Sequence, residues 1–298
     1  LMHKFKNYSR NDKVFYVVTT LLLTVIFIVV LYPCIFVLSA SFSSGSAVQA
    51  GKVILWPVDF SLEGYKTVLN TPMIWTGFRN SLIYTVLGTL ISLVMTLTAA
   101  YCLSRKDVPG RNAIMLLYTF TMFFGGGMIP GYMLVRELGF INTIWAIIIP
   151  GAVSTYNLIV AKTFIQSSIP GELLEAAVMD GCSDIKYYLK IVIPLSKSII
   201  AVLVLYYGVG KWNEYFGPMI YLNDRNKFPL TIFLREILLM DKIDASTITN
   251  PELQMKQAQI AGVIKYALII VSMIPVMIIY PFIQKHFVKG VMIGSIKG

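Results

Sequence analysis

Six long apolar runs constrain this chain more than any other feature: residues 14–40, 80–104, 112–135, 141–165, 196–222 and 260–284. At 1.5 Å per residue each would give a helix of about 30 Å or more, enough to cross the hydrocarbon of a bilayer. The apolar character is continuous rather than alternating, which points to helices and not barrel strands. The chain therefore reads as an all-α integral membrane protein with six transmembrane helices spanning 14–284. Residues 1–13 and 285–298 are tails. Composition agrees, since only 13% of the 298 residues are charged, about half of what a soluble domain carries. Leu38-Ser39-Ala40 mimics a signal-peptidase site, but the run before it is about 25 residues, well beyond the apolar core of a signal peptide.

The net charge of +10 raises the question of nucleic acid. The basic residues, however, flank apolar runs, and no basic groove with interleaved aromatics appears, so nucleic acid is excluded as a partner. Lys4, Lys6, Arg10 and Lys13 precede the first run; Arg105, Lys106 and Arg111 fill the short turn after the second. Lys186, Lys190 and Lys197 lie between the fourth and fifth runs, and Lys285, Lys289 and Lys297 follow the sixth. Six crossings put all of these on one side, and the positive-inside rule makes that side, with both termini, cytoplasmic. The loop 223–259 opposes this with Arg225, Lys227, Arg235, Lys242 and Lys256.

Two irregularities stand inside or beside the runs. Arg105 to Arg111 contains Pro109-Gly110 and reads as a tight polar turn. Gly125-Gly126-Gly127 with Pro130 interrupts the third run. These glycines either let helices pack closely or bend the chain to shape a path, since backbone freed at membrane depth must face protein or water.

The polar segment 170–194 carries a fixed spacing: Glu175-Ala176-Ala177, three residues, Gly181, nine residues, then Ile191-Val192-Ile193-Pro194. Pro170 can start a short helix. Glu172 and Glu175 fall in its first turns, where the helix dipole favours acids. Ala176 and Ala177 allow a close approach, and Gly181 allows a turn into a second short helix that Pro194 ends. Met179 and Ile185 offer apolar anchors for a groove. Asp180 either caps the second short helix or stabilises the turn.

This spacing resembles the EAA signature of the membrane subunits of bacterial ABC importers, with Ile193 where that family has Leu. Further stretches are similar to the carbohydrate permeases of the maltose-transporter type: Phe60 to Tyr65, Asn80-Ser81, Ser104-Arg105 with Pro109-Gly110-Arg111, and Trp212 to Phe216. Phe124 to Pro130 and Phe287 to Gly298 narrow the likeness to the lipo-oligosaccharide and polysaccharide branch. The resemblance implies a heteromeric complex in a bacterial cytoplasmic membrane. Its members would be a homologous second permease, two copies of an ATPase subunit and an extracytoplasmic solute-binding protein. It implies that Glu172, Glu175, Ala176, Ala177, Met179, Asp180, Gly181, Ile185, Ile191 and Pro194 couple to the ATPase, with Glu175 facing one of its arginines. ATP and Mg would be bound by those partners.

The chain shows no cofactor site of its own. Gly51-Lys52-Val53 and Gly210-Lys211-Trp212 lack the rest of a phosphate-binding loop. His3 and His286 are isolated from any catalytic or metal-binding constellation. Cys34, Cys102 and Cys182 have no paired spacing and read as reduced, buried structural residues. Sugar contacts are expected from Tyr156 and Asn157, Tyr206 and Tyr207, and Trp212 and Asn213. Each tyrosine hydroxyl or amide must face a cavity or a neighbouring helix; Trp212 fits either an outer gate or an aromatic belt. Three other classes stay open. A permease for another solute would differ in transport assays. An ion-driven carrier would need intramembrane acids, where only Glu214 is found near one end. A membrane enzyme would need a catalytic constellation.

Overall fold

A computed structural model describes residues 9–240 and 262–281. The expectations for the tails, for His3 and His286, for Phe287 to Gly298 and for much of loop 223–259 fall outside these residues. In chain order the helices are α1 (Arg10–Ser41), α2 (Gly45–Gln49), α3 (Glu63–Asn70), α4 (Pro72–Ser104), α5 (Arg111–Phe123) and α6 (Met128–Glu137). Then follow α7 (Trp145–Ile148), α8 (Thr155–Ser168), α9 (Gly171–Met179), α10 (Asp184–Tyr187), a π-helical turn (Tyr188–Val192) and α11 (Ile193–Leu195). The last are α12 (Lys197–Asn213), α13 (Phe216–Tyr221), α14 (Leu230–Met240) and α15 (Gly262–Pro281). No strand is formed among the described residues; Ser43 and Phe60 make an isolated bridge.

Among the described residues three helices are long and apolar enough to cross a membrane: Asn11–Ser41 within α1, α4 and α15. Counting each bent pair as one span gives up to five, short of the six expected: α5 with α6, turned by 119°, and Asp184–Leu195 with α12, turned by 80°. The run 141–165 is not one helix. Pro150 cannot donate an amide hydrogen, and Gly151 takes a positive φ of 69°, so α7 stops and only the 14 residues of α8 remain helical after it. The run 196–222 likewise breaks at Glu214-Tyr215 between α12 and α13. At Gly125–Gly127 the helix is broken, and no atom lies within 4 Å of where a Cβ would stand on any of the three. Within this chain they serve the bend rather than close packing.

The described residues of Leu1–Thr71 and Leu234–Ser272 form one compact unit, and those of Pro72–Phe233 and Met273–Gly298 a second. In the first, the loop after α1 folds on itself. Ser39 Oγ donates to Leu55 O at 2.6 Å, Phe42 stacks on Phe60 at 5.8 Å, and Ala40, Ala47 and Val53 are buried beside Phe36 and Tyr266.

In the second unit α4 is the central rod, packed against α8 and α12. Its buried face carries small residues, with Ser92, Thr96 and Ala100 fully covered. In lipid the hydrophobic effect does not drive helices together, so close approach along such a face supplies the van der Waals gain. Leu158, Ala161 and Leu203 of α8 and α12, also fully buried, complete the core. Two turns into α4, Asn80 Nδ2 donates to Asn226 O at 2.7 Å and to Phe228 O at 3.1 Å. Ser81 Oγ accepts from Leu230 N at 2.9 Å and Tyr84 donates to Lys227 O at 2.7 Å. The Asn80-Ser81 pair thus satisfies backbone groups of the 226–230 connection, which has little regular structure to do so.

Candidate coupling and permeation sites

The segment 170–194 folds as its spacing requires. Pro170 precedes α9, and Gly181 has φ of 68° just beyond its end. Gly181 N donates to Val178 O at 3.0 Å and Cys182 N to Ala177 O at 2.9 Å. This pair of bonds is a Schellman ending, in which the glycine takes the left-handed position. The interval from Ala177 to Gly181 is therefore the interval from the first acceptor carbonyl to the turn. Ser183, not Asp180, caps the second helix: its Oγ accepts from Lys186 N at 3.4 Å. Asp180 is the closing residue of α9. The chain continues helical through the π turn and one residue past Pro194, and breaks at buried Ser196.

The side chains of the segment divide by face. Glu172, Glu175, Ala176 and Met179, at helical spacing along α9, are all exposed. Met179 is 87% exposed and Ile185, across the turn, 72%. Ala177 does not face outward with them; at 7% exposure it packs inward with Tyr187 and Val192 into the same core as Leu158 and Leu203. Ile191 is half-buried against that core. Beside α9 a cavity of about 900 Å³ is lined by Tyr101, Arg105, Gln166, Gly171, Glu175 and Met179.

Arg105, one residue beyond α4, stands at the edge of this cavity. Nε donates to Asp107 Oδ1 at 2.9 Å, Nη1 donates to Tyr101 Oη at 3.0 Å, and Nη1 also pairs with Asp184 at the start of α10. The Asp107 carboxylate holds the guanidinium pKa above its usual value, and the guanidinium in turn lowers that of Asp107.

The expected sugar contacts are not one cluster. Tyr156 and Tyr206 are exposed and face each other with ring centroids 6.3 Å apart. Asn157 and Tyr207 are buried, and Tyr207 is tied to α4 and to the start of α8 rather than open to a path. Trp212 is buried edge-on to Phe78 at 5.7 Å, so it is not a belt residue. Asn213 lines a cleft of about 430 Å³ with Gly127, Pro150, Glu214, Tyr215 and Tyr221. Three chain breaks meet there: Gly125–Gly127, Pro150 and Glu214-Tyr215. Broken helices at membrane depth belong where backbone lines a cavity.

The sequence did not point to the ion pair that Glu214, which lines this cleft, makes with Lys211 behind it. Lys211 Nζ donates to Ile147 O at 2.7 Å and lies 3.3 Å from Glu214 Oε2. The other carboxylate oxygen lies only 2.6 Å from where a Cβ of Gly217 would stand. The interval of three residues between Lys211 and Glu214 was the available signal. Cys34 and Cys102 also depart from expectation, being exposed, though all three cysteines are free.

Comparison with protein-family models finds no match. Protein LplC of Bacillus subtilis (strain 168) is 38% identical over 297 residues, covering 100% of this chain and 99% of its own. The polygalacturonan/rhamnogalacturonan transport system permease protein YtcP of the same organism is 42% identical over 269 residues, 89% of this chain and 92% of its own. Among solved structures, a bacterial ABC transporter involved in the import of the acidic polysaccharide alginate has a chain 35% identical to this one. It superposes with a TM-score of 0.84 over 94% of this chain and 99% of that one. Likeness of this extent, on the broken all-helical fold just described, shows that the chain belongs to the carbohydrate ABC importer permeases, the membrane subunits whose ATP hydrolysis resides in partner subunits.

Proposed function

We propose that this chain passes an oligosaccharide, a fragment of a larger polysaccharide, inward across a bacterial cytoplasmic membrane by alternating access. A homologous permease forms the other half of the path, two ATPase subunits drive it, and an extracytoplasmic solute-binding protein delivers the sugar. The observation that carries the reading is the division of the segment 170–194. Met179 and Ile185 project outward around the Gly181 turn, while Ala177, Tyr187 and Val192 of the same segment sit in the helical core. A partner gripping the outer side chains moves the inner ones with them.

The cleft at Asn213-Glu214 suits a sugar ring. Tyr215 and Tyr221 supply aromatic faces, and Asn213 and Glu214 supply acceptors for hydroxyl groups. The polymers named for the similar proteins are polygalacturonan, rhamnogalacturonan and alginate, so uronate oligomers are the first substrates to try. Glu214 is paired with Lys211, which fits a fixed binding group better than the proton relay of an ion-driven carrier. The test is uptake of labelled trigalacturonate, with maltotriose as competitor, in cells carrying the complete importer. ATP-dependent uptake is expected; uptake that follows membrane potential and ignores cellular ATP overturns the reading.

A further inference from the structure

Besides the apolar core that Ala177, Tyr187 and Val192 share with Leu158 and Leu203, a polar joint fastens the second docking helix to the membrane helices. Arg105 lies just past the end of α4, and its side chain is 15% exposed, against 68% for Asp184. Asp107 fixes the guanidinium from one side, Tyr101 accepts from Nη1, and the Tyr101 ring lies 5.9 Å from the guanidinium carbon. So held, Arg105 reaches Asp184, the first residue of α10. The same Tyr101 ring packs on Tyr187 at 6.3 Å and Tyr188 at 5.1 Å, and Tyr188 Oη lies 3.3 Å from Thr98 Oγ1. Arg111 Nη1 donates to Arg105 O at 2.9 Å and Gln166 Nε2 to Ser104 O at 3.1 Å, so the corner beneath the arginine is itself pinned.

The other end of α4 is equally tied. Asn80, Ser81 and Tyr84 hold the backbone of 226–230, and the stretch of α4 from there to Ser104 contains no proline. At 1.5 Å per residue the helix rises about 36 Å from Asn80 to Ser104. Rigid elements with a defined joint at each end are what carries energetic coupling between distant sites.

We infer that Arg105 is a positioning residue for transport: through Asp184 it passes the movement of the second docking helix into α4, and so to the 226–230 connection at the far end. The inference rests on the segment 170–194 being the ATPase docking site. An ion pair with one exposed partner adds little to stability, so its removal leaves the fold in place and acts on transmission.

The experiment uses the complete importer, with its ATPase and second permease, in proteoliposomes. A spin label at Asn223→Cys, next to the connection and on a background with Cys34, Cys102 and Cys182 replaced, reports its response to ATP with vanadate. In Arg105→Ala the ATPase stays bound, and the ATP concentration for a half-maximal response rises about tenfold, within the usual range for coupling between sites. Asp184→Asn gives the same shift, and the double variant adds nothing, because both act on one joint. The exchange Arg105→Asp with Asp184→Arg brings the response back to within about threefold of the parent, since a guanidinium at position 184 then meets the carboxylates at positions 105 and 107. A parental response in Arg105→Ala, shifts that multiply in the double variant, loss of the ATPase from Arg105→Ala, or no response in the parent overturns the inference. Met179→Asp is the separate control for docking. If it leaves the ATPase bound, the docking reading fails, while the Arg105 and Asp184 cycle still decides whether that joint transmits.

Discussion

The hydroxyl of Tyr207 lies 2.6 Å from Thr96 Oγ1, joining the middle of α12 to α4, and it accepts from Ser154 N at 3.1 Å where α8 begins. Both side chains are buried, Thr96 completely. One hydroxyl therefore holds three helices in register. Tyr207→Phe leaves Thr96 and the Ser154 amide without this partner, and bonds of this kind between membrane helices are worth about 0.6–1.7 kcal/mol. The purified complex is expected to lose thermal stability, with the preference among sugars unchanged. Its neighbour Tyr206, exposed beside Tyr156, gives the reverse: Tyr206→Ala changes uptake and leaves the melting temperature where it was. Melting curves and uptake on both variants check the contrast.

These two tyrosines show what the sequence could and could not tell. Adjacent residues on a helix point about 100° apart, so one can face a path and the other the core, but apolar runs of near-uniform hydropathy do not say which. The local fold of the segment 170–194 was legible because its spacing encodes local geometry, the Ala177 carbonyl, the Gly181 turn and the outward Met179 all lying within a few residues. The inward face of Ala177 was not legible, because it depends on Tyr187, Leu158 and Leu203 arriving from elsewhere. The long spans α1 and α4 could be read from length alone. The breaks at Pro150-Gly151 and Glu214-Tyr215 left a local signal, a Pro-Gly pair and the polar stretch Lys211 to Glu214, but hydropathy averaged over a whole run hides both.

Gly181 offers a graded test of the turn. Its φ is 68° and no atom stands within 4 Å of a Cβ placed on it. Conformation, not crowding, is the constraint. Gly181→Asn is expected to keep transport close to parental, because asparagine enters the left-handed region readily. Gly181→Val carries a strain of about 1–2 kcal/mol and moves Met179 relative to Ile185. Sugar-stimulated ATP hydrolysis by the two variants measures this; equal losses from Asn and Val would show that volume matters after all.

The Arg105 joint has a defined pH window. Hydrogen bonding to Arg105 lowers the Asp107 pKa below its ordinary 3.8. The contribution of that carboxylate is thus complete above the unfolded value and disappears as pH falls through the lowered native one. Bonding to Asp107 raises the arginine, so its contribution is lost only at extreme alkaline pH. Between about pH 5 and 9 neither group changes charge. The difference between parent and Arg105→Ala, read from the label at position 223, is expected to stay flat over that range; a step near neutrality would point to a different group.

The topology is open to labelling at two exposed positions whose side chains hold no cap. Gln49 closes the short helix after α1, and Lys186 lies in α10. Ser44 and Ser183 are poorer choices, since their hydroxyls cap α2 and α10 and a cysteine there would disturb the structure being mapped. Cys34 and Cys102 are exposed and must first be replaced, with Cys182, to give a silent background. Positive-inside orientation puts Arg105, Lys106, Arg111, Lys186, Lys190 and Lys197 in the cytoplasm. An impermeant maleimide added to intact cells should then modify Gln49→Cys and spare Lys186→Cys until the membrane is opened. Both sites lie outside the longest apolar helices, so neither substitution disturbs insertion. Lys186→Cys reacting from outside would place the docking segment on the wrong side for an ATPase and would overturn the proposed coupling along with the orientation.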